Sequence, residues 1–172
     1  MKPDWILIEE TWIAATRHAI EETLAANPGE TFYAGAFWLL YGDDVQINPP
    51  CLGLNSEESD PEIRWHPPDW RWDIVDSVIE HMESAYEPLG NLDVSESAWD
   101  ALWERHIEVL SRVSKEVTRA ARSGEIPKGD ASLGPHFFVG IIDFAQGDDA
   151  IDYLHGSVAP DLLHASGVLE EH

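Results

Sequence analysis

The stretch Thr31-Phe32-Tyr33-Ala34-Gly35-Ala36-Phe37-Trp38-Leu39-Leu40-Tyr41 decides the fold, because it carries no charge and is dense in aromatic residues. An amphipathic helix would show a polar face at every third or fourth position, and this run shows none. It reads as a strand buried on both faces. A second run, Phe137-Phe138-Val139-Gly140-Ile141-Ile142-Asp143-Phe144, has the same character. The two strands, near 31–41 and 136–144, are expected side by side at the centre of one mainly antiparallel sheet.

Working outward, Ile8, Trp12, Ala15, Ala19 and Leu24 fall on one side of a helix over 8–26, and Asn27-Pro28-Gly29 stops it. Gly42-Asp43-Asp44 marks a turn, so Val45-Gln46-Ile47 begins a return strand near 45–54 that Asn48-Pro49-Pro50 bends at an edge. The region 51–72 is the least regular, punctuated by prolines and crowded by Trp65, Trp70 and Trp72. Ile74, Val75, Val78, Ile79 and Met82 predict a helix over 73–87, ended by Pro88-Leu89-Gly90-Asn91. A longer helix over 95–123 is capped by Ser95 or Ser97 and carries Trp99, Leu102, Trp103, His106, Leu110, Val113 and Val117 on its apolar side. A short C-terminal helix begins after Pro160. The reading is one α+β domain over residues 1–172, with the sheet packed by these helices.

Charge is the strongest functional signal. Against 33 Asp and Glu stand 10 Lys and Arg, a net charge of -23 with a pI near 4.3. Such a field repels nucleic acid, anionic lipid and polyphosphate and draws in cationic surfaces, so the expected partner is a basic protein, with no nucleic acid and no membrane. The acids are dispersed rather than gathered into a tail, and 44% hydrophobic residues with eight Trp imply a packed core. A solvated surface, a selected binding face and adaptation to high salt all remain open as reasons for the acidity.

The lone Cys51 allows no internal disulfide. The N-terminal apolar run is too short for a signal peptide, and no stretch approaches the roughly 20 apolar residues of a membrane span. Cytoplasmic is the expected location, and the sequence does not give the oligomeric state.

No catalytic or metal motif of high specificity is present. Asp152 with His155, and Glu80 with His81, are the nearest approaches to a ligand pair, but the first is a three-residue spacing that any helix contains by chance and the second places neighbours on different faces. His106 reads as a core histidine and Cys51 as an ordinary buried thiol, since no glycine-rich turn or helix N-terminus is clearly placed to activate it. A Gly-x-Ser-x-Gly elbow and phosphate-cradling glycines are absent, so no cofactor, metal or catalytic residue is assigned. Trp12, Trp99 and Trp103 read as core. The segment Arg64-Trp65-His66-Pro67-Pro68-Asp69-Trp70-Arg71-Trp72-Asp73 suits an exposed recognition loop and a loop pinned to the sheet equally well.

Several motifs in order resemble the bacterial domain-of-unknown-function family 4303. They are Glu30-Thr31-Phe32-Tyr33-Ala34, Asp43-Asp44, Asn55-Ser56-Glu57-Glu58 (similar to the family's Asn-Thr-Glu-Glu), Arg64-Trp65 with Asp69-Trp70, Phe137 to Asp143, and Ser157 with Pro160. The resemblance runs from Ile8 onward, with a longer first strand and Ser56 in place of threonine. It implies an α+β domain and, by association with polymorphic-toxin loci, an immunity-type role. The expected partner-binding residues are Asn55, Glu57, Glu58, Arg64, Trp65, Asp69 and Trp70, on two segments expected to lie close together. The first functional reading is a non-catalytic acidic protein docking a basic, toxin-like protein. An enzyme using carboxylates and a histidine between the first strand and the tryptophan loop is the second, and an acidic housekeeping domain the third.

Overall fold

The computed structural model describes residues 2–39, 46–74, 82–143 and 150–170. Helix α1 (Trp5–Ala26) starts one turn earlier than the apolar pattern, because the Asp4 carboxylate accepts from the backbone N–H groups of Ile6 and Leu7 and satisfies two orphan donors. Strand β1 (Thr31–Trp38) is buried through its interior on both faces. Strands β2 (Cys51–Ser56) and β3 (Trp72–Asp73) follow, then the long helix α2 (Glu96–Arg122), strand β4 (Ser132–Ile142) and the short helices α3 (Leu154–Ser157) and α4 (Pro160–Ser166).

The sheet order is β3-β2-β1-β4, with β1 antiparallel to β2, β2 antiparallel to β3, and β1 parallel to β4. This mixed sheet with flanking helices is an α+β fold. The two apolar runs are neighbours, but β4 is the outermost strand and not a central one. Its edge is nonetheless covered. The Thr118 hydroxyl meets the Val139 N–H at 2.9 Å, Ser157 Oγ meets that of Ile141 at 3.1 Å, and the Asp143 N–H reaches the Ala150 carbonyl at 2.8 Å.

Two apolar clusters sit on opposite faces of the sheet. Phe32, Phe37, Leu52, Leu54, Phe137, Val139 and Ile141 face α1 and α2, which lie side by side, joined by Arg112 to Glu9 at 2.6 Å, with Arg17 of α1 reaching Glu125 in the loop after α2 at 3.6 Å. Tyr33, Ala34, Ala36, Phe138 and Ile142 face Trp65, Trp70 and the C-terminal helices. The molecule is therefore three layers, the long helices covering one face as expected.

The second strand begins at Cys51, beyond the prolines rather than before them: residues 46–50 are not strand, and the Ile47 N–H is taken instead by the Leu89 carbonyl at 3.0 Å. Proline has no N–H to give a ladder, so pairing starts where the last proline ends. β2 consequently lies between β1 and β3, not at an edge. Of the helix expected over 73–87, residues 75–81 lie outside the described residues, 82–86 are helical, and Asp73 belongs to β3. The turn at 42–44, Val45 and the end of the first apolar run at 40–41 also lie outside them, as does Phe144.

Candidate functional site

The segment around Asn55 and the tryptophan loop meet at Tyr33, where the sheet is most irregular. Against β2, Phe32 pairs with Ser56 and Ala34 with Asn55, so Tyr33 is one residue too many. Against β4, Phe32 pairs with Leu133 and Ala34 with Phe138, so residues 134–137 bulge opposite it. Pro135 sits in that bulge, where a missing N–H costs no ladder bond, and its carbonyl accepts from Arg122 at 2.7 Å. The bulge turns the Tyr33 side chain toward the same face as that of Ala34 and into the loop.

There the Tyr33 hydroxyl accepts from Asn55 Nδ2 at 2.7 Å and donates to the Arg64 carbonyl at 2.5 Å. The Trp70 indole N–H is shared between the Ile63 and Arg64 carbonyls, 3.1 Å from each. Trp65 stacks on Phe138 at 6.0 Å with planes 10° apart, and its edge meets Tyr33 at 5.4 Å. The Arg64 guanidinium lies 4.0 Å over the Tyr33 ring and binds both oxygens of Glu57. Glu58 accepts from the Thr31 N–H at 3.3 Å, which is the first cause holding its carboxyl below the ordinary value. Asp69 meets His66 Nδ1 at 2.8 Å.

The structure thus brings Asn55, Glu57, Arg64, Trp65 and Trp70 together around Tyr33 and pins the loop, while Glu58 and Asp69 bond to Thr31 and His66 instead. Asn55 is fully buried, and Trp65 and Trp70 are 6% and 4% exposed, so none of the three offers the large open face of a recognition tryptophan. Glu57, Glu58 and Asp69 are at the surface, held respectively by Arg64, the Thr31 N–H and His66.

A cavity of about 100 Å3 opens at the double bulge, lined by Tyr33, Glu57, Arg64, Gly134, Pro135, His136, Ala165 and Ser166. It sets a carboxylate and a histidine between the first strand and the tryptophan loop, where an enzyme was the second reading. The carboxylate is engaged by Arg64, so it is poorly placed to act as a base.

Other chemistry-bearing groups are quiet. Burial, and then the charge of Asp73, push the Cys51 thiol up to about 12, far from a thiolate at neutral pH. His106 is fully buried, and desolvation pulls it down to about 3. The Trp12 indole donates to the Tyr86 oxygen at 2.9 Å, which leaves the Tyr86 proton for His106 Nε2 at 2.7 Å. His106 then carries its own proton on Nδ1, which has no partner among the described residues. Among the described residues no group of three His, Cys, Asp or Glu is placed to hold a metal ion. No helix among them is long and apolar enough to cross a membrane.

The electrostatics have a pattern that dispersion along the sequence concealed. Arg17, Arg64, Arg71, Arg105, Arg112 and Arg119 are each paired with glutamate, and Arg122 is spent on a carbonyl. These arginines are used within the molecule, and acids outnumber cations across the rest of the surface. The imbalance is steepest from Trp72 to Glu104, where nine acids stand without one Lys or Arg. Within that span Glu83, Glu87, Asp93, Glu96, Asp100 and Glu104 are exposed.

No family model matches the chain, and no curated protein or solved structure matches it significantly.

Proposed function

We propose that the chain is a non-catalytic acidic binding protein of immunity type that docks a basic protein. The observation that carries this reading is the disposition of charge: most of the arginines are engaged in pairs within the molecule, and the few lysines leave a large surface excess of carboxylates. Proteins that act on nucleic acid carry basic grooves, and an acidic inhibitor reaches such a groove quickly and occupies it. The resemblance to family 4303 supports the same reading by analogy. The pinned tryptophan loop supports it indirectly, because a rigid scaffold presents its surface at small entropic cost on binding.

The test is co-purification from the native host, followed by association kinetics with the identified protein. Association should be fast at low salt and slow steeply toward physiological ionic strength, where the field reaches only about 8 Å. A partner affinity indifferent to salt, or tight salt-sensitive binding of DNA by the lone chain, would remove the proposal.

A further inference from the structure

The geometry points to the groove beside Trp99 as the place where an arginine side chain of the basic partner docks, an assignment that rests on the reading of the chain as a binder of basic proteins. The groove has a volume of about 410 Å3 and is lined by Val94, Glu96, Trp99 and Asp100. Glu96, Trp99, Asp100, Trp103 and Glu104 are three and four residues apart on α2, so they form one stripe. Val94 is 45% exposed at its mouth. Trp103 lies flat against Trp99, with centroids 5.4 Å apart and planes 7° apart, and is itself tied to the Tyr153 hydroxyl at 3.4 Å. The indole that walls the groove is therefore braced from behind.

A guanidinium meets both demands of this surface. Its planar face stacks on an indole, and its N–H fork binds carboxylates, whereas an ammonium satisfies the charge and stacks less well. An anion would face the two carboxylates Glu96 and Asp100, and an apolar side chain would bury them without partners. Among the described residues no ion pair engages Glu96, Asp100 or Glu104. The helix dipole accounts for Glu96 in the first turn of α2. It does not account for Asp100 and Glu104 farther along the stripe, or for a half-exposed valine beside a tryptophan.

The experiment titrates the full chain with a hexa-arginine peptide, and with hexa-lysine, at fixed ionic strength, following the Trp99 indole N–H by NMR. The groove is altered by Glu96→Gln with Asp100→Asn, and separately by Val94→Lys, which plants a cation at an exposed position. Glu21→Gln with Glu22→Gln on α1 removes the same charge elsewhere. Both groove variants should weaken hexa-arginine on the order of tenfold, the α1 control less than about twofold, and hexa-lysine should bind more weakly than hexa-arginine. The Trp99 resonance should move with hexa-arginine. Equal losses in groove and control variants, or equal binding of the two peptides, would overturn the groove while leaving an acidic surface that binds cations generally. If the wild-type chain shows no salt-sensitive binding of either peptide, the groove and the broader reading fall together.

Discussion

The Thr118 hydroxyl accepts the backbone N–H of Val139 at 2.9 Å and faces that residue's carbonyl at 3.3 Å, so a helix side chain occupies the position where a fifth strand would pair. With Ser157 doing the same for Ile141, β4 is an outermost strand whose edge is closed by hydroxyls rather than by charge or proline. Thr118→Val keeps the shape and removes the acceptor, leaving a buried N–H unpaired. It should cost about 1–3 kcal/mol by urea unfolding, while Thr118→Ser retains most of the stability. A valine variant as stable as the wild type would mean that water takes over the bond.

Gly140 makes the approach of the C-terminal helices possible. A Cβ there would press on the Leu154 side chain and come within 2.9 Å of Val158 Cγ2, both core residues. Gly140→Ala should destabilise by about 1–3 kcal/mol through overpacking. Reducing Leu154 to alanine in the same chain should recover part of that loss in a double-mutant cycle, since the two positions share one space.

Two of the four strands, β1 and β4, were legible in sequence because charge-free runs such as 31–41 have no alternative to burial on both faces, whereas the two-residue β3 falls in a segment that reads as loop and helix. Which strand lay outermost was not legible, since β4 looks like a central strand by composition. Its edge is satisfied by Thr118 and Ser157, and hydroxyls in helices carry no sequence signal for that role. The start of β2 was not legible either: Val45-Gln46-Ile47 reads as its opening, but Pro49 and Pro50 offer no N–H to a ladder and pairing begins only at Cys51. The proximity of Asn55 to the tryptophan loop was foreseeable from residue types that fix turns. The bulge that aims Tyr33 between them was not, because a register shift depends on all three strands at once. Trp99 and Trp103 read as core from their spacing, and both pack against the core cluster while remaining partly exposed.

Tyr33 ties the sheet to the loop, and Tyr33→Phe removes one oxygen with two partners. Asn55 Nδ2 loses its acceptor in a fully buried place, and the Arg64 carbonyl loses the tyrosine donor while keeping the Trp70 indole. A loss of about 1–3 kcal/mol is expected by denaturant unfolding, together with faster amide exchange at residues 63–66. Glu57→Gln, by contrast, touches only an exposed pair with Arg64 and should change stability by less than about 1 kcal/mol.

His106 makes the fold sensitive to acid. In the folded chain it stays neutral until about pH 3, because burial disfavours the imidazolium, whereas unfolded histidine takes up its proton near 6.5. Between those values the unfolded state binds more protons, so this residue lowers stability by about 1.4 kcal/mol for each pH unit below 6.5. His106→Gln can still accept from Tyr86 and does not titrate. Its stability should fall less than that of the wild type between pH 6.5 and 4, and parallel curves for the two chains would show that His106 is protonated in the fold.

The surface charge should act on folding and on association in opposite directions. Unneutralised carboxylates such as Glu96, Asp100 and Glu104 repel one another along α2, while the arginines already sit in internal pairs, so added salt screens more repulsion than attraction. The melting temperature should therefore rise with sodium chloride from low to physiological ionic strength. Glu96→Gln with Asp100→Asn should raise it at low salt and reduce its salt dependence, because it relieves the same repulsion chemically. The same two substitutions should slow association with a basic partner, whose approach uses the field they remove. A melting temperature that falls with salt would mean that the ion pairs outweigh the self-repulsion, and the acids along α2 would then belong to the folded state's stabilising network rather than to its binding face.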